Sequence, residues 1–410
     1  MGIYEPAEDS YLVQQHINEY AEGRVLDMGA GSGILALAAV NNPKVKEVVA
    51  VDINPDAVRI LQEKINSQKL RKLKVFQSDL FEKVSGEFNL IIFNPPYLPQ
   101  DKGIEDAALY GGKKGWEISA RFLAEVSSHL HSEGIILFLF SSLTNKRKIE
   151  ELIDHRLFQF SLIDAQKLAF EELYLYAITK TKLLRQLEGR LIENISYFSR
   201  GQRGVIYTGY MDRSKLVKTH LPGRKNIVQV TIKVKRKDSL AEGRIGNEVE
   251  WLTKLNPEGI GPKLVTIDWD YKDYNYKKSD YLVYEFVEGE YILDWIKKNS
   301  KEEIKTLINS LLDQCFKLDK LKVNKEELHR PYKHILITAK NKPVMIDFER
   351  CSESPKVKNI TQFTEFICRL KPELAQKEFN FKLEDLRQLA REYKTARSFE
   401  LLQKIKDAIK

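Results

Sequence analysis

The sequence predicts two folded units in tandem: an open α/β sheet over residues 1–180 and an α+β unit over residues 197–375. Three observations predict this. Short apolar runs alternate with helix-like stretches through the first half, the order that builds a parallel sheet. The 410 residues exceed what one domain usually holds. The charge balance also changes sign along the chain. Residues 1–180 carry 20 Lys+Arg against 25 Asp+Glu, leaving 46 against 33 for the remainder. Residues 181–196 contain no Pro- or Ser-rich linker and read as a helical connector, and residues 376–410 as a basic helical tail.

The first strand is Arg24-Val25-Leu26-Asp27-Met28, which runs through Gly29-Ala30-Gly31-Ser32-Gly33 into the helix-forming Ile34–Ala39 stretch. The glycines allow a tight strand-to-helix turn and close approach of a ligand to bare backbone. A second strand, Glu47–Asp52, ends in an acid about twenty residues on. The third, Leu73–Gln77, is followed by Ser78-Asp79. The fourth, Phe88–Phe93, is stopped by two prolines in Asn94-Pro95-Pro96-Tyr97.

The glycine turn lacks the third glycine of a pyrophosphate-binding fingerprint, and no P-loop lysine follows it. It suits S-adenosylmethionine, which has no phosphate. Gly29 and Gly31 would offer backbone, Asp52 the ribose acceptor, Asp79 a partner for the adenine amino group, and Asp27 a carboxylate for the cationic end. The rigid loop at the end of the fourth strand suits a planar –NH2 acceptor. Asn94 Oδ1 and the Pro95 carbonyl would each take one N–H, with Tyr97 against the amide plane. Amide nitrogen is a poor nucleophile, so the task of Asn94, Pro95 and Tyr97 is positioning, not proton abstraction.

Residues 1–180 resemble the HemK-type protein-glutamine N5-methyltransferases in their short form. The resemblance is carried by Tyr4-Glu5-Pro6-Ala7-Glu8-Asp9-Ser10-Tyr11, Asp27 to Gly33, Asp52, Asp79, Asn94 to Tyr97, and Gly111-Gly112-Lys113-Lys114-Gly115-Trp116-Glu117. It implies a class I (Rossmann-like) methyltransferase sheet, with its last three strands near 135–140, 157–165 and 173–178. It also implies methylation of the glutamine of a Gly-Gly-Gln motif in a translation release factor. Relatives of this form often need a small zinc-ribbon activator protein. Lys114 stands where an acid is more usual.

The second half reads as a glycine turn at Gly201 and Gly204, a strand Val228–Lys235 containing Lys233, and a helix from Gly243 to Leu255 bearing Glu248. A strand Tyr281–Phe286 follows, then Leu328-His329-Arg330-Pro331-Tyr332-Lys333-His334-Ile335 and Val344–Glu349. In that order Lys233 could hold nucleotide phosphates, Glu248 orient the lysine and Asp347 bind magnesium. Lys218 is an alternative phosphate lysine. The segment resembles a small group of archaeal Ser/Thr protein kinases distantly related to the RIO-type kinases, implying a protein-kinase-like fold and Mg-ATP. Two departures stand out. Glu327 is the nearest carboxylate to the catalytic position, where Asn324-Lys325 replaces an expected Asp-His, and His334 occupies the place of a metal-binding asparagine. Nucleotide binding with weak or absent phosphoryl transfer is expected.

The three cysteines, Cys315, Cys351 and Cys368, have no paired spacing, which argues against a disulfide framework and for a reducing cytoplasm. The longest apolar run, Ile135–Phe140, is strand-sized, so no membrane partner is expected. The basic second half leaves room for RNA or ribosome contact. An adenine-N6 nucleic-acid methyltransferase could use the same Asn-Pro-Pro-Tyr logic on a flipped base. The second half could also be a non-catalytic adaptor or pseudokinase.

Overall fold

The computed structural model describes residues 4–100, 109–201, 204–215, 226–236, 243–265 and 280–410. Lys218 lies outside them. The chain divides into a first unit, Met1–Tyr197, and a second, Phe198–Lys410.

The first unit opens with α1 (Glu8–Tyr20), whose Glu8 and Asp9 complement the positive end of the helix. Then come β1 (Gly23–Met28), α2 (Ile34–Val40), β2 (Val45–Asp52), α3 (Pro55–Gln68), β3 (Leu73–Gln77) and β4 (Phe88–Phe93). They are followed by α4 (Glu117–Glu125), β5 (Leu130–Ser141), α5 (Lys146–Asp154), β6 (Phe158–Lys167), β7 (Glu172–Lys180) and α6 (Lys182–Glu188). The seven strands form one sheet in the order β3-β2-β1-β4-β5-β7-β6. The first five are parallel, and β7 runs antiparallel to both β5 and β6. This is the Rossmann-like methyltransferase sheet expected of the first half. Central strands are apolar on both faces because helices cover both sides, as Leu90, Ile91, Ile92 and Phe93 show by being almost wholly buried.

The chain leaves β1 in one direction to build β2 and β3, then returns to place β4 on the other side of β1. That reversal opens a crevice at the carboxyl ends of β1 and β4, where open α/β sheets bind ligands. Local chemistry aims two helices at it. Gly33 takes a left-handed φ of 81° at the start of α2, and a Cβ there would lie 2.5 Å from Leu61. Asn54 caps α3 by accepting from the Asp56 amide, with Pro55 at the first helical position.

Strand β8 (Ile192–Arg200), which runs across the boundary at Tyr197, leads into β9 (Gly204–Asp212), β10 (Ile227–Lys235), α7 (Arg244–Leu255) and β11 (Tyr281–Glu285) of the second unit. These strands form a sheet in the order β11-β10-β9-β8. Next come β12 (Glu290–Tyr291), α8 (Ile292–Lys298), α9 (Lys301–Lys320), β13 (Val323–Asn324), β14 (Ile335–Ile337), β15 (Pro343–Met345) and β16 (Ser352–Glu353). Four helices close the unit: α10 (Asn359–Arg369), α11 (Lys371–Ala375), α12 (Leu383–Ala396) and α13 (Phe399–Ala408).

Two boundary expectations differ from the structure. The connector is helical only over α6, which ends at Glu188 before a turn through Gly189 and the left-handed Leu191 (φ 62°). Beyond it the chain is already extended as β8. The C-terminal helices are not a tail. Leu386, Tyr393, Leu402, Ile405 and Ile409 belong to the same buried cluster as α9 and α10. Tyr393 also donates its hydroxyl to the buried Asp319 of α9, which is bonded to Asn359 at the start of α10. Basic composition described the exposed face of these helices and hid the apolar one.

Candidate active site

A cavity of about 260 Å³ lies at the carboxyl ends of β1, β2 and β4. Gly29, Gly31, Asp52, Asp79, Asn94, Pro95 and Tyr97 all line it, so the structure gathers these sequence-derived residues in one place. Asp27 is the exception. It is 1% exposed, absent from the lining, and accepts the Ala36 amide of α2 at 2.9 Å. Burial raises its pKa to about 7; the Ala36 hydrogen bond opposes the shift, and the nearby Asp52 charge adds to it. Its place is beneath the glycine turn, tying α2 to β1.

Asp52 is half committed to the protein. Oδ2 accepts the Gly31 amide at 2.8 Å and Oδ1 the Asn54 amide at 2.8 Å. These bonds fix the carboxylate at the tip of β2 while leaving it on the cavity wall. Asp79 pairs with Arg121 of α4 at 2.9 Å, a contact the sequence did not announce.

Asn94 shows the most telling geometry. Its Nδ2 donates to Asp9 Oδ2 at 2.9 Å. An ionised carboxylate only accepts, so this bond sets which end of the amide faces where. Asn94 Oδ1 is thereby buried with no hydrogen-bond partner. Asp9 is itself 4% exposed, receives the Ser10 amide at 2.6 Å, and is also hydrogen-bonded by the Tyr4 hydroxyl. Burial, then the Asp9 charge and hydrogen bond, push the Tyr4 phenol up and keep it protonated. Tyr97 is likewise held neutral, by burial first and by Asp9 and Glu171 next. The Tyr4–Ser10 stretch thus supports the loop 85 residues away.

The loop is braced from a second side. Leu98 is bonded through both backbone groups, its N–H donating to Leu109 O and its carbonyl accepting from Gly111 N–H, both at 3.0 Å. A Cβ on Gly111 would come 2.4 Å from the Pro96 carbonyl, and one on Gly115 2.5 Å from the Tyr97 carbonyl. Glycine is required there because two backbones touch. The Thr144 hydroxyl also donates to the Tyr97 carbonyl at 2.9 Å. Lys114, in the position where an acid is more usual, places its amide on Glu117 and its ammonium over the Trp116 ring.

A model of the methyltransferase small domain family matches residues 7–167. A protein of Methanocaldococcus jannaschii that bears the name of a protein N5-glutamine methyltransferase is 38% identical over 178 residues, covering 42% of this chain and 88% of that protein. Through its first unit, the chain belongs to the protein N5-glutamine methyltransferase family. S-adenosylmethionine is the methyl donor expected of that family. A release factor glutamine methyltransferase of Aquifex aeolicus is 31% identical over 177 residues, 39% of this chain and 62% of that protein. Its Deinococcus radiodurans namesake is 32% identical over 136 residues, 31% of this chain and 49% of that protein. The chain therefore spans about half to three fifths of those two bacterial relatives. Among solved structures, a chain of the E. cuniculi Mtq2–Trm112 complex, which methylates the termination factor eRF1, matches with a TM-score of 0.37 and 22% identity. The match covers 44% of this chain and 100% of that one.

The second unit of this methyltransferase holds its own polar cluster. Lys233 Nζ of β10 lies 2.7 Å from Glu248 Oε2 of α7, 2.9 Å from Asp347 Oδ1 and 3.5 Å from Glu349 Oε2. Burial works against the Lys233 charge, but Glu248 and Asp347 outweigh it and hold its pKa well above the ordinary lysine range. Asp347 adopts a left-handed φ of 63°. Lys325, 1% exposed, donates Nζ to the backbone carbonyls of Ile346 and Asp347 and sits over the Phe348 ring. The lysine that replaces an expected histidine therefore holds the Asp347 backbone in place. Gly201 donates to the Gly204 carbonyl, and Gly204 pairs with Lys235 two residues past Lys233. Glu327 faces His334 and Arg350. Arg350 escaped sequence reading because nothing local marks it, and Glu349 and Lys325 stood in runs the sequence singled out without any local signal of a role of their own. The ligand set around Asp347 contains an imidazole nitrogen, which suits magnesium poorly, since magnesium takes oxygen ligands.

Proposed function

We propose that the first unit transfers a methyl group to the side-chain amide nitrogen of a protein glutamine, in the Gly-Gly-Gln motif of a translation release factor. The observation that carries this reading is Asn94, which lines the cavity and whose Oδ1 is a buried acceptor without a partner while Asp9 holds its Nδ2. A buried carbonyl left unpaired costs about 1–3 kcal/mol, so the site is built to receive a donor. S-adenosylmethionine, with its adenosine end against Gly29, Gly31, Asp52 and Asp79, supplies an electrophilic methyl. Asn94 Oδ1 and the Pro95 carbonyl then orient the acceptor –NH2 and leave its lone pair directed at that methyl, while Tyr97 packs on the amide plane. Catalysis is chiefly positioning at near-attack distance. The names of the bacterial relatives support the release factor as substrate, and a small zinc-ribbon activator is a candidate partner. The second unit binds a nucleotide through Lys233 oriented by Glu248, with weak or no phosphoryl transfer.

One assay tests the acceptor: a release factor and an adenine-containing oligonucleotide compete for methyl transfer from labelled donor. Label on the Gly-Gly-Gln glutamine is the expected outcome. Label on adenine would replace this reading with nucleic-acid methylation.

A further inference from the structure

Three side chains of the second unit converge without bonding one another. His334 Nδ1 lies 3.6 Å from Glu327 Oε2 and 3.7 Å from Asp347 Oδ2. Both separations are too long for hydrogen bonds. His334 Nδ1 is buried and has no hydrogen-bond partner. Each carboxylate is anchored through its other oxygen. Asp347 Oδ1 is taken by Lys233 at 2.9 Å, and Glu327 Oε1 faces Arg350 at 3.4 Å. The free oxygens are thus turned to the imidazole by cations behind them. The three donor atoms lie within 4.8 Å of one another.

We propose that Glu327, His334 and Asp347 form a site for a zinc-class divalent cation, bound by one nitrogen and two oxygens. Zinc binds nitrogen and carboxylate oxygen at about 2.0–2.2 Å in tetrahedral geometry. Two ligands at such distances stand about 3.4 Å apart in a tetrahedral site but about 3.0 Å apart in an octahedral one. The observed 3.6 and 3.7 Å separations lie nearer the tetrahedral value. Magnesium is disfavoured by the nitrogen ligand. Three protein ligands leave a fourth position for water or an anionic oxygen, and Lys233 holds the other oxygen of Asp347. The neighbouring Glu248–Asp347–Glu349 group is a weaker candidate, because Lys233 already lies within 3.5 Å of all three acids.

The test uses the full chain, stripped with chelator and dialysed against Zn2+ alone, with bound metal quantified. Co2+ in place of Zn2+ reports geometry through its visible absorption. The expectation is one tight equivalent, a tetrahedral Co2+ spectrum, and no displacement by excess Mg2+. His334→Ala and the milder Glu327→Gln should each weaken that equivalent by at least about tenfold. Circular dichroism confirms that both variants are folded. Undiminished zinc in both folded variants, an octahedral Co2+ spectrum, or displacement by Mg2+ at comparable concentration would overturn the assignment.

Discussion

Replacing Asp9 by alanine tests how the acceptor loop is aimed. Asp9 touches Asn94 through one bond, Nδ2 to Oδ2 at 2.9 Å, in a nearly closed environment. A hydrogen bond to a charged group is worth about 1.5–3 kcal/mol. Flipping the Asn94 amide would exchange that bond for an oxygen facing a carboxylate, so the bias toward the observed orientation is at least this large. That corresponds to a population ratio of about ten to a hundred and fifty at 1.4 kcal/mol per factor of ten. Asp9→Ala removes the bias and also frees Tyr4, which shares the carboxylate. The turnover number on a Gly-Gly-Gln protein should fall by about ten- to a hundredfold, since misplaced acceptors lose rate rather than affinity. Donor affinity, measured by calorimetry, should change little. Asp9→Asn should lie between alanine and wild type, because its amide still supplies one acceptor but no longer fixes direction. Unchanged turnover in Asp9→Ala would refute the orienting role. A loss wholly explained by weaker donor binding would instead make Asp9 a cofactor ligand.

Four further outcomes are expected. Asn94→Ala should lower methyl transfer by about a hundredfold with cofactor binding nearly intact; wild-type turnover would make the loop purely structural. Asp52→Ala should weaken S-adenosylmethionine about tenfold or more by calorimetry, through loss of the ribose acceptor and of the Gly31 and Asn54 anchors, and unchanged affinity would remove Asp52 from the site. The Asp27 pKa is raised from 3.8 to about 7 on folding, so its stabilising contribution is complete below pH 4 and is lost as pH rises through 7. The melting temperature of Asp27→Asn should lack that decline between pH 4 and 7, and parallel profiles would contradict a buried, pKa-shifted carboxyl. Lys233→Ala should abolish nucleotide binding to the second unit; robust autophosphorylation lost in Asp347→Ala would show that the unit is an active kinase.

The sequence by itself determined the order of strands and helices in the first unit and the cluster of groups at their carboxyl ends. Those signals are local: a glycine turn between an apolar strand and a helix, an acid closing a strand, two prolines stopping another. Such patterns act within a few residues, where sterics and burial leave few choices. In the second unit the Lys233–Glu248 spacing marked a strand and a helix that do meet. Tertiary structure decided what each side chain faces. Asp27 looked like a ligand because it lies near the end of a strand beside the glycine turn, yet the start of α2 folds over it and claims it. Asp9 stood out only as part of the Tyr4–Tyr11 stretch, yet it directs Asn94, 85 residues away. The glycines at 111 and 115 acquire their reason only when a second backbone lies against them. His334 read as a lost asparagine, and only packing shows two carboxylates turned toward it by cations behind them. Strand and helix formation depend on neighbours in the chain, whereas the partner of a buried polar atom depends on which distant segment packing brings within 3 Å, and no local pattern encodes that.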